Sequence, residues 1–382
     1  VVTYLHPTDS TKTDTGATAD LTGTTGQVMV EIPKHYRKFE FDGTIITALI
    51  SLYNLPGFHE VPKMYISAYE ATIDRTTSST PKLASVVNKT ANFRGGNNNS
   101  AWDGTYRSLL GLPATQTSLT NFRKYARNRG EAGLNGCGWN CNLYAAQVAM
   151  YWLYVIEYAN RNCQAAYNAE PTSEGYKQGG LGDGVTTLNG AKWNTYNSYY
   201  PFVPCGFTNS LGNRSGVVEF TMPDEYDTGV VTKVKVPSYR GVENPFGHLW
   251  KWTDGCKCEI QSDTDGALSK FYVCLDPSKF QDSSYNDYDM RGELPRKEGY
   301  VKRMMIGEHG DIMPMEVGAS STTHFADYFY TNIPASGAAM RGVLFGGHAI
   351  NGANAGLSCA NTNNTASHTN AYIGSRLCFI PA

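Results

Sequence analysis

The chain has 382 residues, 41% hydrophobic and 12% aromatic, enough apolar material for one large core or two ordinary domains. Charged residues make up only 17%, against roughly 25% in ordinary soluble domains, and the net charge is -2; the clustered Lys and Arg that phosphate binding needs are missing, which excludes a nucleic-acid partner. No apolar run reaches the roughly 18 residues that span a bilayer, and Val1-Val2-Thr3 is not the basic start of a signal sequence, so no membrane insertion is expected.

Residues 1–26 are rich in Thr, Asp and Gly without an apolar pattern and read as a flexible lead or linker, leaving 27–382 as the folded domain. Val28-Met29-Val30-Glu31-Ile32 and 36–41 carry strand composition, Asp42-Gly43 marks a tight turn, 45–52 reads as a buried strand, and 64–73 adds another. The Asn- and Gly-rich stretch 88–104 reads as a long surface loop. Ser118 or Thr120 can cap a helix carrying Phe122 and Tyr125, which Gly130 would end in the left-handed conformation. In a second helix Tyr144, Val148, Tyr151, Trp152, Val155 and Tyr158 recur at helical spacing, a stripe that reads as core packing before it reads as a cofactor or sugar platform. After residue 168 short strands alternate with long loops. The pattern is α+β: two main helices against twisted antiparallel strands with much irregular chain.

Catalytic chemistry is hard to find. Nine cysteines leave at least one thiol without an intramolecular partner, and neither Cys137/Cys141 nor Cys256/Cys258 has zinc-site spacing, so buried free thiols are expected. Gly179-Gly180-Leu181-Gly182-Asp183-Gly184 lacks the Lys and Ser/Thr of a phosphate loop. Asp254, Asp263 and Asp265 do not follow calcium-loop spacing and read as solvated turn residues, and His309 would act as a base only if a nucleophile approached it in space. No catalytic residue, metal or cofactor is assigned.

The most informative stretch follows Arg341. From Gly342 to Ser375 there is no Asp, Glu, Lys or Arg, while Gly, Ala, Asn, Ser and Thr dominate, and the run closes on the strand-like Ile373-Gly374-Ser375-Arg376-Leu377-Cys378-Phe379-Ile380. A loop of small residues held between two strands suits a recognition surface carried on a rigid scaffold. Within it His348, Ile350, Asn351, Asn354, Asn361, Asn363, Asn364, His368, Asn370 and Tyr372 are separated almost only by Ala, Gly, Leu, Ser, Cys and Thr. His, Ile and Tyr each differ from an Asn codon by one adenine, whereas Ala and Gly codons carry none in their first two positions. These ten residues are the candidate ligand-binding positions.

Arg341-Gly342, Phe345-Gly346-Gly347, the Asn-rich run and Ile373-Gly374-Ser375-Arg376-Leu377-Cys378 closely resemble the variable region of proteins diversified by diversity-generating retroelements. Tyr239-Arg240-Gly241-Val242-Glu243-Asn244-Pro245-Phe246-Gly247 and Trp250-Lys251-Trp252 resemble the glycine- and tryptophan-rich core of the same fold, in the form shared with formylglycine-generating enzymes. The resemblance implies an elaborated C-type-lectin-like domain with a variable region at 346–378, displayed on a phage tail or a cell surface, and a protein or glycan receptor as partner. A phage member of the family assembles as a trimer, which by analogy implies a homo-oligomer here, although no coiled-coil heptad supports it independently. Ala349 and Ala353 stand where the family often places Trp, implying a flatter surface. The enzyme relatives use a late cysteine pair; here only Cys359 and Cys378 are late, one inside the variable run and one in the closing motif. An oxidase on the same fold and a structural virion protein are the alternative readings.

Overall fold

The structure is a computed structural model and describes residues 2–77, 79–87, 93–94, 112–130, 138–167, 203–221, 233–322, 325, 327–370 and 372–382. Strands dominate it. The chain opens with β1 (Met29–Ile32), β2 (His35–Phe41), β3 (Ile46–Ser51) and β4 (His59–Val61), followed by β5 (Met64–Ser67), β6 (Thr72–Asp74), β7 (Lys82–Ala84) and β8 (Phe93–Arg94). Next come α1 (Leu119–Arg127), β9 (Gly138–Cys141) and α2 (Tyr144–Tyr158), then β10 (Gly216–Thr221), β11 (Lys233–Tyr239) and β12 (Val242–Glu243). The C-terminal part holds β13 (Trp250–Gln261), β14 (Ser269–Val273), β15 (Asp289–Glu293), β16 (Gly299–Ile306), β17 (Asp311–Val317) and β18 (Tyr328–Tyr330). It ends with β19 (Ala338–Gly346), β20 (Gly356–Asn361), β21 (Ile373–Gly374) and β22 (Leu377–Ile380).

A nine-stranded sheet runs in the order β15-β14-β13-β19-β20-β18-β16-β17, with β21 laid parallel on β13. The last strand, β22, sits between β5 and β9 in a sheet of order β1-β5-β22-β9. Three smaller sheets, β3-β2-β4, β7-β6-β8 and β10-β11-β12, complete a mixed, strand-rich fold.

The longest strand, β13, lies inside the large sheet between β14 and β19 and is buried along nearly its whole length. Trp250 and Trp252 pack with Leu119, Phe122 and Ala126 of α1, whereas Cys256, Cys258 and Ile260 pack in the separate core around α2. All five β13 positions are even-numbered, so an undisturbed strand would point them to one face. The register with β19 slips between Thr253 and Lys257, where Gly255 takes φ +83°, and this bulge turns the second half over. It also presents Asp254 to Arg123 of α1, which holds it through Nε at 2.5 Å and Nη2 at 2.9 Å.

Several expectations are corrected. Ser118 caps α1 as its side chain accepts from the Asn121 amide, but the helix ends at Asn128 in the right-handed region, and Gly130 has φ +150°. The stripe on α2 is core, yet burial extends round the helix to Ala146, Gln147, Ala149 and Met150, because β1, β13, β17 and β20 all contact it. Stretch 64–73 breaks into β5 and β6, letting Tyr69 and Glu70 turn inward. The expected buried strand 45–52 is the edge strand β3, with Ile45, Ile46 and Leu52 exposed. The lead 2–26 supplies one buried residue, Thr13, and is tied to the body where the Tyr69 hydroxyl donates to the Leu21 carbonyl and the Val87 amide to that of Thr22. Most of 88–104, the Gly179 to Gly184 run and Cys137 lie outside the described residues.

Candidate functional site

The segment after β19 is more structured than a loop between two strands. Gly346 and Gly347, with φ +103° and +73°, turn the chain sharply, and a Cβ on Gly347 would meet that of Ala355 at 2.8 Å. A 3-10 segment, Ala349–Asn354, follows, then β20, an irregular stretch over 362–370, and the short β21. The Asn351 side chain caps the 3-10 segment by accepting from the His348 amide at 2.7 Å.

Half-covered positions flank a continuously buried run, 355–360, on this path. Ala349, Ala353, Ala355, Leu357, Cys359 and Ala360 are all within 3% of full burial, and Ile350, Asn351, Asn354 and Asn361 between or beside them are half-buried. Asn363, Asn364, His368, Asn370 and Tyr372 are half-buried too. His348 departs from the group, at 8% exposed. None of the ten is fully exposed, so the expectation of a freely projecting loop is corrected to one of a close-lying, partly covered surface.

Part of the set converges on three tyrosines that the sequence reading passed over. Asn351 and Asn354 donate through Nδ2 to the Tyr330 hydroxyl at 3.1 and 2.7 Å, while the Tyr300 hydroxyl donates to Asn354 Oδ1 at 2.5 Å. Tyr328 lies between them, its ring centroid 5.0 Å from Tyr300 and 4.7 Å from Tyr330. Tyr330 meets Trp250 edge-on at 5.8 Å and is in register with Asn361 across β18 and β20. On the other side His348 stacks on Tyr372 at 4.6 Å and 25°. The signal that would have found the tyrosines is the alternation in Tyr328-Phe329-Tyr330, whose central Phe is fully buried.

The remaining positions are held elsewhere. Asn361 Oδ1 accepts from the Asn363 amide at 2.8 Å, making a local turn, and the Asn364 carbonyl accepts from the Gly342 amide on β19. The Ala366 carbonyl accepts from the amide of Leu119, the first residue of α1, and the Asn370 carbonyl from that of Gln116 ahead of the helix, while Ile350 packs with Val203, Val234, Val236 and Leu249. His368 lies on the same stretch as these backbone contacts.

The site is electrically quiet. Burial lowers the His348 imidazole to about 4, outweighing the Asn351 hydrogen bond that raises it, so the ring is neutral at ordinary pH. Burial raises the Tyr372 hydroxyl, opposed by its hydrogen bond with Asn370. Cys359 and Cys378 are fully buried free thiols, both raised by burial, Cys378 to about 12. The acidic trio is scattered over different partners: Asp254 on Arg123, Asp263 on Arg296 at 2.6 Å, and Asp265 on Ser262 and the Gly337 amide. His309 lies in the turn between β16 and β17, its Nε2 3.1 Å from Glu308 and its ring 5.7 Å from that of His59.

No protein-family model matches the chain, and no curated protein matches it. Among solved structures it is similar to the Major Tropism Determinant U1 variant, at 12% sequence identity and a TM-score of 0.29, over 96% of this chain and 76% of that one. No helix of the described residues is long and apolar enough to cross a membrane.

Proposed function

We propose that this chain is a ligand-binding protein that recognises a protein or glycan receptor through the face built from 348–372 together with Tyr300, Tyr328 and Tyr330. The observation that carries the reading is that half-covered Asn, His, Ile and Tyr side chains flank the continuously buried run 355–360 on one bent backbone path. Uncharged amides and phenols beside aromatic rings offer donors, acceptors and apolar area without the desolvation cost of a buried charge. In this reading the half-covered positions are diversified by a retroelement on an elaborated C-type-lectin-like domain, and the protein is displayed on a phage tail or a cell surface. The recognition is not catalytic and uses no cofactor; the buried thiols of Cys359 and Cys378, held protonated, are poor nucleophiles and support that choice over an oxidase.

The test pairs binding with stability. Replacing Ile350, Asn354, Asn361, Asn363, Asn364 and His368 together, while keeping the buried His348, should change which members of an array of cell-surface proteins and glycans are bound and leave the unfolding midpoint within a few degrees. Sequencing the locus across its source population should find variation at these codons and not at Ala349, Ala353, Leu357 or Ala360. An unchanged binding profile in the replaced protein would remove this face from recognition.

A further inference from the structure

The pairing of β20 with β19 is irregular. Phe345 of β19 pairs with Ala360 and the next residue, Gly346, pairs with Gly356, so 357–359 have no partner on β19. Buried backbone groups without a ladder must find other partners. Here they find side chains on the core side: the Leu357 amide donates to Cys163 Sγ at 3.1 Å, the Leu357 carbonyl accepts from Gln147 Nε2 at 2.8 Å, and the Ser358 amide donates to Asp327 Oδ2 at 2.8 Å. One turn earlier Gln164 Nε2 reaches the carbonyls of Ala353 at 2.9 Å, Gly352 at 3.3 Å and Ala355. An amide has two hydrogens, so three carbonyls must share them. Gln147, Cys163, Gln164 and Asp327 are all 0% exposed. Asp327 lies so close beneath the chain that a Cβ on Gly356 would fall 1.8 Å from its Oδ1, which explains why this position is glycine.

We infer that Gln164 and Asp327, with Gln147 and Cys163, are positioning residues that fix the backbone of 352–358 from the core side, so that the outward side chains can be exchanged without changing its path. The device depends on the proposed recognition role only for its biological meaning. Apart from the Ser358 hydroxyl, which also donates to Asp327, its inward bonds to this segment go to backbone atoms, whereas the outward bonds of Asn354 to Tyr300 and Tyr330 belong to one side chain.

Hydrogen exchange on the full chain, resolved by peptide, separates the two sets of bonds and needs no ligand. In Gln164→Met the peptide covering 353–358 should exchange at least about tenfold faster, while Asn354→Ser, which loses the outward bonds, should stay within about threefold of wild type. Asp327→Ala should free the Ser358 amide, and Asp327→Asn, which keeps an acceptor oxygen, should restore most of its protection. If peptides from β1 and β5 also exchange faster in Gln164→Met, the comparison passes to Gln147→Met, which removes the single bond to the Leu357 carbonyl. The inference is overturned if Asn354→Ser accelerates exchange as much as the inward variant, or if the inward variants leave 353–358 protected. Failure of the recognition role would appear instead as an unchanged binding profile in the outward replacements, with this exchange pattern intact.

Discussion

His348 shows what a single position can hide. Its codon relation to Asn placed it among the varied residues, but its ring is buried, stacked on Tyr372 and 6.3 Å from Trp250. An imidazole at about 4 in the fold and 6.5 when unfolded is neutral in the fold, so its contribution is complete above about pH 6.5 and is lost as pH falls toward about 4. Glu243 and Asp327, raised to about 7 chiefly by burial, act in the opposite sense, since their contribution grows as pH falls through the same range. The difference between wild type and His348→Phe isolates the imidazole. Urea unfolding should show wild type losing about 2 to 3 kcal/mol relative to the variant between about pH 7 and about pH 4.5. A constant difference across that range would mean the ring is not kept neutral by the fold. The ten candidates were legible because their residue types cluster in one charge-free run; the burial of one of them was not, because it depends on Trp250, nearly a hundred residues away in sequence.

At the scale of elements, composition and period located strands of the N-terminal stretch, the closing strand and both helices, but not the individual strands of the large sheet nor the surroundings of each element. The run 45–52 has the apolar content of a buried strand, yet its sheet reaches the body through Phe39, 4.7 Å from Trp152, and Ala48, leaving Ile45 and Ile46 beyond the contact. The face reversal of β13 was equally out of reach, since a bulge is set by the partner strand as much as by Gly255. Trp252, just before the bulge, is fully buried, its indole N–H has no hydrogen-bond partner among the described residues, and a Cβ on Gly342 would meet its ring at 2.7 Å. What Trp252 supplies is therefore packing. Trp252→Ala should lower unfolding free energy by about 3 to 5 kcal/mol, and Gly342→Ala, which overfills the same place, by about 1 to 3 kcal/mol. Chemical denaturation of the two variants checks both, and a Trp252→Ala protein as stable as wild type would show that the cluster under α1 does not depend on it.

Across the whole molecule, segments distant in sequence meet in one buried charged cluster. Glu70 approaches His248 Nδ1 at 2.6 Å and Lys251 Nζ at 3.1 Å; burial alone would raise its carboxyl, but His248, Lys251 and Arg376 together hold it at about 2. Burial lowers Lys251 to about 8. Arg376, fully buried, donates to the carbonyls of Ser67 at 3.0 Å and Asn244 at 2.8 Å and to that of Glu243, joining β5, the turn after β12 and the start of β22. The same cluster lies under the candidate face, because His248, between Glu70 and the chain above, accepts from the Ala349 amide through its carbonyl. Removing Arg376 takes a donor from three backbone carbonyls and shifts the charge balance around Glu70 in a place water does not reach, a class of change that costs about 3 to 5 kcal/mol. Arg376→Ala should therefore lower the unfolding midpoint strongly and weaken every ligand alike, since it disturbs the support and not the contacting groups. Lys34 and Glu60 form an ion pair at 2.7 Å with about half of each side chain exposed, and Lys34→Ala should leave the midpoint where it was. Thermal melts of the two variants beside wild type decide the matter: equal midpoints for all three would mean that the buried cluster carries no more of the fold than a surface pair does.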